Sequence, residues 1–258
     1  MQTLSQRWSM LEKAVTVVGP DDDRPRPAVI LFHGCGGLRG HLPRYAAAAK
    51  AAGWRAFIVD SYGPRSWSRQ FAMATVCTGV LLPGSQRAGD VLAALLGVSQ
   101  RPDVDGSKIV LAGWSHGGWG IMEAMSSDRA DGMLGVADPG AVPLDGVIGT
   151  FLVYPYVGIG ALNRMRPWRH CPKTLAVISR TDHLTTVRNA QQVHDMVRNC
   201  GAEVETWIAE GSHAFDEPKA TAPMRYQPEL AAEAERRFVR LLKDTAPPGP
   251  KRRRRKAA

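Results

Sequence analysis

Cysteine is scarce in this chain and does not cluster. Cys35, Cys77, Cys171 and Cys200 are the only four, and no two form a C-x-x-C pair. That spacing argues against a structural zinc site and implies no disulfide framework. By analogy with cytosolic usage all four are expected as thiols, with one disulfide in an exported protein as the alternative. Long apolar runs are also lacking, so no segment is expected to span a bilayer. Met1 to Val18 mixes charged and polar residues and has no apolar stretch of the secretory-signal kind. The expected compartment is therefore the cytoplasm. Strong charge is absent from most of the chain. The formal charge is +9, but the run Lys251-Arg252-Arg253-Arg254-Arg255-Lys256 supplies six of it, which leaves a body of only +3.

The 258 residues with 44% hydrophobic content can bury one large core. Residues 1–246 are read as one domain and 247–258 as a disordered basic tail, because Ala246-Pro247-Pro248-Gly249-Pro250 cannot continue a helix. The tail is read as solvated chain. Contact with nucleic acid or an anionic surface is the other reading of such a run.

Short apolar runs punctuate the body. Ala28 to Phe32, Trp54 to Val59, Lys108 to Ala112, Val147 to Val153, Thr174 to Ile178 and Glu203 to Ile208 suit strands buried on both faces. Amphipathic stretches lie between them. His41 to Ala52 stops at Gly53, and Arg87 to Val98 carries an aliphatic stripe. Thr186 to Asn199 follows Thr185, a suitable N-cap, and Glu229 to Lys243 completes the set. His194, in the middle of the third stretch, reads as a surface residue. The alternation predicts an α/β protein, with a mostly parallel central sheet and helices on both faces. Strand C-termini then share one edge, where ligands bind. Ser61 to Pro83 and Asp128 to Leu144 resist assignment; the first is either a loop or a small cap over that edge.

Gly113-Trp114-Ser115-His116-Gly117 fits G-x-S-x-G, follows a strand and precedes a helical stretch. That context is the one a nucleophile elbow needs, with Ser115 raised on a strained turn. A serine hydroxyl needs a base to take its proton. Among seven histidines, His213 in Gly211-Ser212-His213-Ala214-Phe215 stands just after the last strand. An acid should end a strand between them, and Asp182 in Ser179-Arg180-Thr181-Asp182-His183 does so. Asp138 and Asp145 precede a strand instead of following one. Backbone N–H groups for a tetrahedral oxyanion are expected at His116 and in the loop His33-Gly34-Cys35-Gly36-Gly37, at Cys35 or, alternatively, Gly36. Cys35 as nucleophile is the rival reading, but its loop offers no base.

These motifs resemble the α/β-hydrolase superfamily over roughly Arg26 to Lys243. The texture of His33 to Gly37, Asp60-Ser61-Tyr62-Gly63-Pro64-Arg65 and Gly211 to Phe215 is most similar to its dienelactone-hydrolase-like branch. The branch has a cysteine nucleophile where this chain has Ser115. The resemblance implies a Ser115–His213–Asp182 triad, no cofactor and no metal, and hydrolysis of a small ester or lactone through an acyl-enzyme. Oligopeptidase-like peptidase activity, or a non-catalytic binding protein on the same scaffold, are the competing readings. Tyr62 and Arg65 follow a strand end on the same edge. They are candidates for substrate binding, with the Arg65 guanidinium suited to a substrate carboxylate.

Overall fold

The computed structural model describes residues 1–128 and 132–246. The expected basic tail lies outside the described residues. In chain order the described elements are α1 (Leu4–Leu11), β1 (Val15–Val18), β2 (Arg26–Phe32), α2 (His41–Ala51), β3 (Arg55–Val59), α3 (Arg69–Thr75), α4 (Gly84–Ser99), β4 (Val104–Trp114) and α5 (His116–Ser126). Then come β5 (Val147–Val153), β6 (Lys173–Thr181), α6 (Val187–Asn199), β7 (Val204–Ser212) and α7 (Pro228–Thr245).

The seven strands form one sheet in the order β1-β3-β2-β4-β5-β6-β7. Only β1 runs antiparallel, pairing Val15 with Val59 at the edge. The remaining strands are parallel, as the continuous apolar runs require. Side chains alternate across the sheet. Ala28, Ile30 and Phe32 of β2 join Ile109 and Leu111 of β4 in one core layer, beneath α1, α4, α5 and α6. Val29, Leu31, Val110, Ala112 and Trp114 face the other layer, under α2 and α7. Among the described residues no helix is long and apolar enough to cross a membrane.

Three elements were not legible in the sequence. The helix α1 packs on α4, where the ring of Trp8 fills the space a Cβ at Gly97 would need. The strand β1 is only four residues long and half exposed. The helix α3 and its flanks turn the segment after β3 into a covering element with its own small cluster of Tyr62, Ala72, Val76 and Leu82. The N-cap of α6 is Thr186, one residue later than expected, with its hydroxyl accepting from the Asn189 N–H at 3.2 Å.

Two expectations are corrected. The four cysteines are not thiols: Cys35 pairs with Cys77 and Cys171 with Cys200. Partners 42 and 29 residues apart meet because the covering segment folds back over the β2 loop and because α6 returns its C-terminus to the start of β6. His194 is not on the surface; its face of α6 packs on the sheet, leaving it 1% exposed.

Candidate active site

The site grows from the ends of five parallel strands, β2, β4, β5, β6 and β7. β4 ends at Trp114, and Ser115 makes the turn into α5 with φ 49° and ψ −112°. A non-glycine residue held there costs on the order of 1–3 kcal/mol, which the surrounding packing must offset. Two glycines make the turn possible. A Cβ on Gly113 would stand 2.6 Å from the Gly118 nitrogen, and one on Gly117 would stand 2.2 Å from the Phe32 carbonyl oxygen. Strand and helix therefore pass closer than any side chain allows. The hydroxyl of Ser115 is thereby raised at the sheet edge, at the floor of a cleft of about 210 Å³.

β7 ends at Ser212, and the next residue, His213, reaches across β5 and β6. Its Nε2 lies 2.9 Å from Ser115 Oγ. Its Nδ1 lies 2.7 Å from Asp182 Oδ2, just beyond the end of β6. The other oxygen of Asp182 accepts the N–H groups of Leu184 at 2.7 Å and Thr185 at 3.1 Å, which fixes the carboxylate plane. Both side chains of the His213–Asp182 pair are almost wholly buried. The ring of Tyr154, after β5, packs on the His213 ring at 4.6 Å. With Nδ1 committed to a carboxylate, Nε2 is the ring nitrogen left to accept a proton from Ser115.

The loop after β2 lies against the serine. A Cβ on Gly34 would sit 3.4 Å from Ser115 Cβ, and the Gly37 N–H closes a turn on the Gly34 carbonyl at 3.1 Å. Among the described residues, the backbone N–H groups of Cys35, Gly36 and His116 donate to no acceptor. His33 anchors this loop from below. The Ser61 N–H donates to its Nε2 at 3.1 Å, so the proton sits on Nδ1 and is donated to the Gly34 carbonyl at 2.7 Å. Burial, reinforced by the Arg87 charge, keeps this ring neutral by lowering its pKa. Burial, with Arg87 again adding to it, drives His116 down to about 3, and its Nε2 meets the Leu82 carbonyl at 2.8 Å. Asp60 is partly buried, which alone raises its pKa. The nearby His33 ring, 3.7 Å away, and the N–H groups of Tyr62 and Gly63 outweigh that and bring it to about 2.

Ser115, Asp182 and His213 are thus brought together, with Cys35, Gly36 and His116 beside them. Tyr62 and Arg65 are not, and their candidacy for substrate binding is corrected. Tyr62 is 3% exposed and lies under the loop, its ring on His33 at 4.5 Å. Arg65 turns away from the cleft. Its two terminal nitrogens meet Asp90 at 3.0 and 2.7 Å, and one also donates to the Ser61 carbonyl at 2.6 Å. A guanidinium spent on a buried carboxylate has no fork left for a substrate.

Sequence reasoning missed the cleft walls. Met73 of α3, Cys77, His41, Leu184 and Met224 line it. These come from distant segments, and nothing in their spacing marks them. Asp216 was missed as well, although its position three residues after His213 was a usable signal.

Residues 14–137 match the model of the dienelactone hydrolase family. No curated protein matches the chain. Among solved structures, a putative dienelactone hydrolase from Klebsiella pneumoniae is 15% identical, with a TM-score of 0.63 over 88% of this chain and 91% of that one. A thermophilic esterase from Thermogutta terrifontis, with propionate bound, is 14% identical, with a TM-score of 0.67 over 92% and 91%. A dienelactone hydrolase-like promiscuous phosphotriesterase from metagenomic libraries is 18% identical, with a TM-score of 0.66 over 90% and 92%. At such identities the likeness shows the fold. Over residues 14–137 the chain matches the dienelactone hydrolase family, and its fold is that of the α/β-hydrolase superfamily to which that family belongs.

Proposed function

We propose that the protein is a serine hydrolase that cleaves a small carboxylic ester or lactone through an acyl-enzyme. The observation that carries this reading is the unbroken chain Asp182–His213–Ser115, with contacts of 2.7 and 2.9 Å, ending on a strained serine at the floor of the cleft. The Thermogutta esterase, which holds propionate in one structure and is phosphorylated by paraoxon in another, supports a small acyl group. The departure from a cysteine nucleophile leaves the reading intact. Cys35 is the only cysteine in the oxyanion loop, and its sulfur is bonded to Cys77, so it offers no thiolate.

In this reading Ser115 Oγ attacks the ester carbonyl while His213 Nε2 takes its proton. Asp182 holds the Nδ1–H tautomer and stabilises the imidazolium. The tetrahedral oxygen receives the N–H groups of His116 and Cys35, with Gly36 the alternative to Cys35. As the carbon–oxygen bond to the alcohol breaks, His213 returns the proton to the leaving oxygen. Water then repeats the sequence on the acyl-enzyme, with His213 as base, and releases the acid. The small, largely apolar cleft suits short acyl chains better than a peptide.

The test pairs a fluorophosphonate probe with p-nitrophenyl esters of rising chain length. The wild-type protein should label at Ser115 and turn over the short esters. Ser115→Ala should lose the label and several powers of ten in kcat with the fold retained, and Asp182→Asn should lose roughly 10⁴ in kcat. Near wild-type turnover by Ser115→Ala would overturn the reading, and so would a wild-type protein that neither labels nor turns over any ester.

A further inference from the structure

The carboxylate of Asp216 lies 1% exposed beneath the site, outside the proposed triad. It accepts three hydrogen bonds from three separate segments. The Tyr45 hydroxyl of α2 donates to Oδ2 at 3.0 Å, and the Trp114 indole N–H, at the end of β4, donates to the same oxygen at 2.9 Å. The Tyr154 hydroxyl, just after β5, donates to Oδ1 at 2.5 Å. The two oxygens of a carboxylate offer enough acceptor sites for three converging donors. Each donor is itself nearly fully buried, so none has water as a substitute partner.

The partners of Asp216 coincide with the backbone strain in the site. Three non-glycine residues near the triad have left-handed φ: Ser115 at 49°, Tyr154 at 36° and Ala214 at 56°. One carboxylate is tied to all three. It holds Trp114, the neighbour of Ser115. It holds Tyr154, whose ring packs on His213 at 4.6 Å. It belongs to the same turn as His213 and Ala214, a turn closed by the Glu217 N–H on the Ala214 carbonyl at 3.1 Å. Strained conformations persist only where the surroundings over-determine them, and here the shared constraint is this carboxylate.

We propose that Asp216 is a positioning residue: its buried carboxylate locks the strained ends of β4, β5 and β7 together and so sets the register between Ser115 Oγ and His213 Nε2. The role rests on the hydrolase reading above. Asp216 touches neither reacting atom and acts through Trp114 and Tyr154. Its removal therefore weakens the attack step and leaves ester binding in the cleft largely unchanged.

The experiment measures kcat and KM per active site for p-nitrophenyl acetate, with sites counted by the fluorophosphonate burst, in wild type, Asp216→Asn, Asp216→Ala and Tyr154→Phe. Asp216→Ala should lower kcat per titrated site by roughly 10- to 100-fold, the scale of an ångström-sized misplacement, with KM within about threefold. Asp216→Asn keeps one acceptor oxygen and should fall between that variant and wild type. Tyr154→Phe removes a single bond, keeps the ring on His213 and supplies the answer if Asp216→Ala does not fold. It should lose about tenfold in kcat. A carboxylate that only holds the fold together would lower melting temperature and the fraction of titratable sites, with turnover per site unchanged. That result would overturn the role while the hydrolase reading stands. A wild-type protein with no ester turnover and no label would overturn both.

Discussion

Replacing Arg65 by alanine separates a structural cation from a substrate-binding one. Its guanidinium faces Asp90, which is 0% exposed and also meets Arg7 at 2.7 Å and Arg87 at 3.4 Å. The surrounding arginines hold the Asp90 carboxyl far below the usual carboxylate range against the opposing effect of burial. Breaking a buried pair by removing one partner costs about 3–5 kcal/mol when the other charge is left uncompensated. Arg7 and Arg87 remain, so the loss is smaller. It includes two charge-assisted bonds to Asp90 and the bond to the Ser61 carbonyl. About 2–3 kcal/mol is the expected scale. For a domain of this size that lowers Tm by roughly 4–12 °C. Urea and thermal unfolding read the stability, and an ester bearing a free carboxylate, compared with its methyl-capped analogue, reads selectivity. The expected result is a large stability loss with the ratio of kcat/KM values unchanged. Unchanged stability together with a lost preference for the carboxylate would refute the assignment and return Arg65 to the substrate.

Two further outcomes are expected. Gly117→Ala places a Cβ 2.2 Å from the Phe32 carbonyl oxygen and 2.8 Å from that of His33, so it should cost on the order of 3 kcal/mol and abolish most ester turnover. Gly140→Ala meets nothing within 4 Å and should stay within about 0.5 kcal/mol; equal behaviour of the two in urea titrations would contradict the elbow geometry. Burial holds His116 down to about 3 and His194 to about 4. The unfolded chain takes up these protons near pH 6.5 and the folded chain does not, so stability is full above about pH 6.5 and falls as pH drops toward 4. Between pH 7 and 5 the loss should be roughly 2–4 kcal/mol, and a urea midpoint that does not move over that range would rule it out.

Much of the site was readable because the chemistry is local to strand ends. Gly113 to Gly117 needs its glycines wherever a strand turns into a helix above a serine, so the pattern carries its own geometry. Asp182 and His213 each come a few residues after an apolar run, and parallel strands share an edge, so their approach to Ser115 followed from topology. Arg65 shows the limit of that logic. It stands on the correct edge, but the direction of its side chain depends on Asp90 in α4, which the sequence does not link to it.

The alternation of buried strands and amphipathic helices, and with it the parallel sheet and the edge on which Ser115, Asp182 and His213 stand, is written in the local pattern of the chain. Periodicity is a property of the local chain, and it survives into the fold because each strand run is long and apolar enough to be buried on both faces. Long-range packing set the cysteine pairing, the burial of His194, the cleft walls from α3 and the loop after β7, and the convergence of Tyr45, Trp114 and Tyr154 on Asp216. Each of these is a contact between segments far apart in sequence, fixed by packing and by the need to satisfy buried polar groups, for which no local pattern in the chain exists.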